Sequence, residues 1–110
     1  MTRLTARVWV DAYLRRLDLA SIPAYVIAHG NDQAGAVIVK VATLDGQACL
    51  YQRSFDFATG NRRWMVLAEG SEAEVDGSAK RQRGFDPDLW VIEVEDREGR
   101  HLLDEPGLAE

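Results

Sequence analysis

The stretch from Arg81 to Glu105 constrains the fold more than any other part of this chain. It opens on Lys80, Arg81 and Arg83, basic residues that suit a helix C-terminus, where cations complement the backbone dipole. Gly84 is a natural place for such a helix to stop. Phe85-Asp86-Pro87-Asp88 follows, and Pro87 biases Asp86 toward extended backbone. Leu89 to Glu95 then reads as a strand, with Trp90, Ile92 and Val94 on one face and Glu93 and Glu95 on the other. Asp96-Arg97-Glu98-Gly99 turns it back into a short return strand, Arg100 to Leu103. The segment specifies architecture and carries no reactive constellation.

The same periodicities organise the rest. Ala6, Trp9, Val10, Tyr13 and Leu17 share one helical face, which predicts a helix from Thr5, its N-cap, to Asp18. Pro23 prevents its continuation. Ala24 to His29, Ala36 to Thr43 and Gln47 to Arg53 read as strands. Gly30 to Gly35 turns between the first two, and Asp45-Gly46 is a hairpin signal between the second and third. This predicts an antiparallel meander. Ser54 to Asn61 reads as a loop holding Phe55 and Phe57, and Arg62 to Leu67 as a fourth strand centred on Trp64. Ser71-Glu72-Ala73-Glu74 matches a capping box, although Gly77 weakens the following helix and moves its expected start toward Asp76. Short connections between strands imply an α+β fold: a two-layer sandwich with a mostly antiparallel sheet of five to six strands and two helices on one face. Residues 1–105 form the expected single domain, and 106–110 a flexible C-terminal tail.

At 110 residues the chain is long enough to bury a core without cross-links. Cys49 is the sole cysteine, which excludes an internal disulfide. The start, Met1-Thr2-Arg3-Leu4-Thr5, lacks a signal-peptide core. The longest apolar run, Ala34 to Val39, falls far short of a membrane span. The expected setting is the cytoplasm, away from membranes. A net charge of −5 disfavours nucleic acid as a partner, since such domains are normally basic.

Four segments carry a resemblance: Trp9-Val10-Asp11-Ala12-Tyr13-Leu14-Arg15-Arg16, Gly35-Ala36-Val37-Ile38-Val39-Lys40-Val41, Arg62-Arg63-Trp64-Met65, and Arg81 through Val91. Through them the chain resembles a small bacterial family known as domain of unknown function 1491, over nearly its whole length. The resemblance implies a compact bacterial domain. It brings no activity, cofactor or catalytic residue with it.

Each motif has a structural reading beside its chemical one. Arg62 and Arg63 beside Trp64, with Arg81 and Arg83, would hold a phosphate or stack on a base if they converged. Neighbouring residues on a strand point to opposite faces, however, and helix-end cations need no ligand. Asp86 and Asp88 bracket Pro87 as a carboxylate pair, but no third ligand accompanies them, and Asp before Pro commonly opens a turn. His29 lies near Asp32, and His101 near Asp104 and Glu105; neither has the spaced partners a zinc site needs. Cys49 has no cationic neighbour in sequence to activate it. The glycines form no phosphate-binding pattern. Trp9, Trp64 and Trp90 fall on apolar faces and read as core. Phe55 and Phe57, spaced two apart in a loop, read as a partner contact if exposed. The favoured reading is a non-catalytic domain acting through protein contact or self-association. No cofactor, metal ligand or catalytic residue is assigned. A polyanion-binding module built on Arg62, Arg63, Arg81 and Arg83 is the alternative, and a small metal-dependent hydrolase the last.

Overall fold

A computed structural model describes residues 4–109; Met1-Thr2-Arg3 and Glu110, the end of the expected tail, lie outside the described residues. The elements are α1 (Ala6–Leu19), β1 (Ala24–Ala28), β2 (Val37–Ala42), β3 (Gln47–Asp56), β4 (Asn61–Ser71), α2 (Glu72–Phe85) and β5 (Trp90–Glu95). They build the α+β fold expected: two helices and a five-stranded, mostly antiparallel open sheet.

The strand order is β1-β5-β2-β3-β4. The meander therefore lies at β2-β3-β4, one strand later than expected, because β5 inserts between β1 and β2. It pairs antiparallel with β1 and parallel with β2. The physical reason is the connection from His29 to Ala36, which is too long for a tight hairpin and instead wraps over the start of β5. Asn31 N donates to Asp88 O at 2.9 Å and Trp90 N to Ala36 O at 2.8 Å. The same loop serves α1, whose Ala6 and Arg7 backbone N–H groups donate to Gln33 O and Asp32 O. Those are orphan donors that every helix start must satisfy.

The helices lie on opposite faces of the sheet, not on one. Val39, Val41, Trp90, Ile92 and Val94 pack against Trp9, Val10, Tyr13 and Leu17 of α1. Ile38, Leu50, Leu89 and Val91 pack against Val75 and Ala79 of α2. The central strands β2 and β5 are apolar on the α1 face, while on the α2 face Ile38 and Val91 alternate with Lys40 and Glu93. β1 and β4 are the edges.

Ser71 caps α2 by accepting from Glu74 N at 3.2 Å, and its hydroxyl donates to Glu74 Oε1 at 3.0 Å. The capping box thus prevails over Gly77, and the helix starts at Glu72 rather than Asp76. The expected return strand at Arg100 to Leu103 is absent among the described elements. Both neighbours of β5 are already occupied, so no free edge awaits it. Instead Leu103 and Leu108 are buried in the α1 cluster. Residues 106–109, set apart in the sequence as a tail, lie against the body: Arg16 Nη1 donates to Pro106 O at 3.0 Å and Trp64 Nε1 to Leu108 O at 3.0 Å. Among the described residues, no helix is long and apolar enough to cross a membrane.

Candidate functional site

β3 and β4 outrun the sheet. Pairing of β2 with β3 ends at Ile38 opposite Gln52, whereas the β3–β4 ladder continues to Asp56 opposite Asn61. Residues beyond Gln52 therefore form a two-stranded arm, and the loop expected at Ser54 to Asn61 is shortened to a turn at residues 57–60. Its turn closes through Gly60, whose φ of 74° suits glycine and whose N–H donates to Asp56 O at 2.8 Å.

Cross-strand pairing puts Arg53 opposite Trp64 and Phe55 opposite Arg62 on the α1 side of the arm. The base is rooted in the core. Trp9 and Trp64 rings lie 5.4 Å apart, and the Arg53 guanidinium sits 4.9 Å from each ring centroid. That is cation–π distance to both indoles. The tip, by contrast, is in water: Phe55 is 53% exposed and Phe57 90%. Their rings meet edge-on, 5.0 Å apart at 76°. Arg63 faces the α2 side and lies 3.6 Å from Asp56.

The arm thus unites five of the sequence-selected residues: Phe55, Phe57, Arg62, Arg63 and Trp64. The other four lie elsewhere. Arg83 donates to Pro87 O at 2.8 and 3.2 Å and to His29 O at 3.2 Å, which locks the corner between α2 and β5. Asp86 Oδ1 accepts from Asp88 N at 3.1 Å, the turn role foreseen for it. Asp88 lies exposed beside it. Arg81 lines a groove between α2 and β4 with Glu69 and Glu74. β5 and β4 are three strand spacings apart, about 14 Å. The four arginines of the polyanion reading are therefore divided between an edge hairpin, a groove and a structural corner.

The histidines are also separately engaged. His29 Nε2 lies 2.7 Å from Asp32 Oδ1, and that hydrogen bond, outweighing some desolvation, holds the Asp32 carboxyl below its ordinary value. His101 Nδ1 accepts from Leu103 N at 3.0 Å, and burial lowers its pKa. Among the described residues, no three His, Cys, Asp or Glu side chains converge as metal ligands.

Sequence reasoning missed two features. One is a pocket of about 360 Å³ lined by Thr43, Cys49, Tyr51, Glu69 and neighbours. Burial pushes the Cys49 thiol up, against a hydrogen bond from Tyr51, and pushes the Tyr51 phenol up to about 12. Both stay protonated at neutral pH, so the pocket offers no thiolate. Its residues come from β2, β3, β4 and the turn at Gly99, which no local motif links. The other is Lys40, 4% exposed, which meets Glu72 at 2.9 Å, Asp76 at 2.8 Å and Glu93 at 3.0 Å. A lysine inside the apolar run Val37 to Val41, with acidic residues four apart on the next helix, was its signal.

Solved structures share this fold, among them these three. A crystal structure of a DUF1491 family protein from Caulobacter crescentus CB15 is 38% identical, with a TM-score of 0.83 over 96% of this chain and 97% of that one. An NMR structure of a DUF1491 family protein from the same organism is 40% identical, with a TM-score of 0.82 over the same shares. The solution structure of protein Atu0922 from A. tumefaciens is 31% identical, with a TM-score of 0.72 over 86% of each chain. No curated protein matches. The family model described as "Protein of unknown function (DUF1491)" matches residues 4–104, and the chain belongs to that family.

Proposed function

We propose that this domain acts through protein contact, with the β3–β4 arm as its contact surface and no chemistry of its own. One observation carries the reading: Phe57, 90% exposed, is braced against Phe55 at the end of a projecting hairpin. Two phenylalanines gain little from such a position in the isolated fold, since Phe57 stays almost wholly in water and Phe55 is only about half covered. Aromatic and arginine side chains together are also what interface hot spots favour, and Arg62 and Arg63 flank the rings.

The edges of the sheet's body are poorly suited to adding a strand, which leaves the arm's side chains to make the contact. Both sheet edges carry a register shift, in β1 between Val26 and Ala28 and in β3–β4 at Leu50/Tyr51. Bulges of this kind twist an edge away from strand addition.

A photo-activatable phenylalanine analogue at position 57, expressed in the producing cell, tests the reading. A discrete covalent adduct is expected from position 57 and none from exposed Arg15 on α1. Illumination that yields no adduct at 57, or the same adducts at both positions, contradicts it.

A further inference from the structure

Resting on that contact surface, we infer that its partner is a second copy of this chain, with the arm of each copy docked on the α2–β5 corner of the other. The corner is the arm's chemical complement. Phe85 is 84% exposed at the end of α2, and Asp86 and Asp88 beside it are exposed too. The arm presents Phe55 and Phe57 at its tip and Arg63 on its α2 side, where the guanidinium, 63% exposed, lies 3.6 Å from Asp56 and keeps its outer face open. Apolar rings would meet an apolar ring, and Arg63 would exchange its exposed contact with Asp56 for the corner's carboxylates.

Other charges near the corner do not cancel this. Arg83 is engaged with the Pro87 and His29 carbonyls. Arg81 lies along the groove with Glu69 and Glu74. Lys80 stands more than a helical turn before Phe85.

Position supports reciprocity. Trp90 pairs with Val37, and the next β2 residue, Ile38, pairs with Gln52. The corner before Trp90 and the arm after Gln52 therefore leave the sheet at the same end. A two-fold axis between them lets each arm reach the other copy's corner, so the assembly closes as a dimer and does not grow. A stable interface buries roughly 1,200–2,000 Å², and reciprocal docking doubles the area that one arm contributes. Arg63 projects to the α2 side of the arm, the side on which the corner lies.

Sedimentation velocity at low salt tests the pairing. The wild-type chain should dimerise reversibly. Arg63→Glu and Asp88→Lys should each weaken the dimer by about tenfold or more, through like-charge contact. Mixed together, the two variants should form a heterodimer, since each reversed charge then meets its complement. Phe57→Ser, outside either ion pair, should also weaken the dimer. Unchanged thermal transitions confirm that the variants fold. A wild-type chain that stays monomeric at millimolar concentration, a dimer indifferent to these changes, or folded variants that fail to pair on mixing overturns the inference. If position 57 then cross-links to a different protein, the contact surface stands and self-pairing falls; if it cross-links to nothing, both fall.

Discussion

Single residues show how closely the loops are fitted. A Cβ added at Gly30 or Gly35 would overlap the Asp88 carbonyl oxygen, a backbone atom that cannot swing aside. Gly30→Ala and Gly35→Ala should each cost about 1–3 kcal/mol, the usual range for forced overpacking. Gly84 has nothing within 4 Å of its added Cβ and is helical. Gly84→Ala should therefore stabilise by about 0.5–1 kcal/mol. Urea midpoints would separate the two signs. In sequence Gly30 and Gly35 look like ordinary turn residues, because Asp88, which they press against, lies more than fifty positions away. His101 makes a second residue-scale prediction. Burial lowers its folded pKa, so the unfolded imidazole takes up a proton at higher pH than the folded one. The stability contributed by neutral His101 is complete above about 6.5 and is lost as pH falls through the folded value. His101→Gln should flatten the fall in urea midpoint across that acid range; an unchanged slope would remove His101 as its source.

Among the elements, α2 joins a small apolar contact to a charge clamp. Its buried side chains are only Val75 and Ala79. Lys40 supplies the rest by gathering Glu72 and Asp76 from α2 and Glu93 from β5. Burial alone would pull the ammonium down, but the three carboxylates outweigh it and raise its pKa. This stabilisation is complete below about 10.4, the unfolded value, and disappears as pH rises through the higher folded one. Lys40→Met should cost about 1–3 kcal/mol, less than the 3–5 of a fully buried pair because Glu72 and Asp76 are partly hydrated. Hydrogen exchange should quicken across α2 and stay unchanged in α1; uniform quickening would refute a local clamp. Elements with strong local signals were legible in sequence. α1 announced itself through five apolar positions and Thr5, the β2–β3 turn through Asp45-Gly46, and the start of α2 through its capping box. What was not legible depends on distant partners: β5 displacing β1 from β2, Arg100 to Leu103 finding no free edge, and the expected loop shrinking to residues 57–60 because Ser54 to Asp56 continue the ladder with Asn61 to Arg63.

At the scale of the molecule, the sheet has a covered middle and a projecting end. Its middle, covered by α1 on one side and α2 on the other, holds Trp9 and Trp90 in the core, as their apolar faces foretold. One end projects the β3–β4 arm and the α2–β5 corner, where exposed aromatic rings and opposite charges collect. The candidate site was half legible for that reason. Phe55, Phe57 and their flanking arginines are contiguous along the hairpin and could be picked out together. Arg81, Arg83 and Asp86 were grouped by composition but are used locally, in a groove and a turn. The central claim is that the rings at the arm's tip are kept for contact and not for folding. The unfolding free energy of the Phe55→Ser/Phe57→Ser double variant tests it directly, measured on dilute protein so that no association contributes. It should match the wild type within about 1 kcal/mol, the sum of two surface substitutions. A loss of about 1.5–3 kcal/mol, the worth of a buried phenylalanine, would show the rings to be part of the fold and contradict the claim.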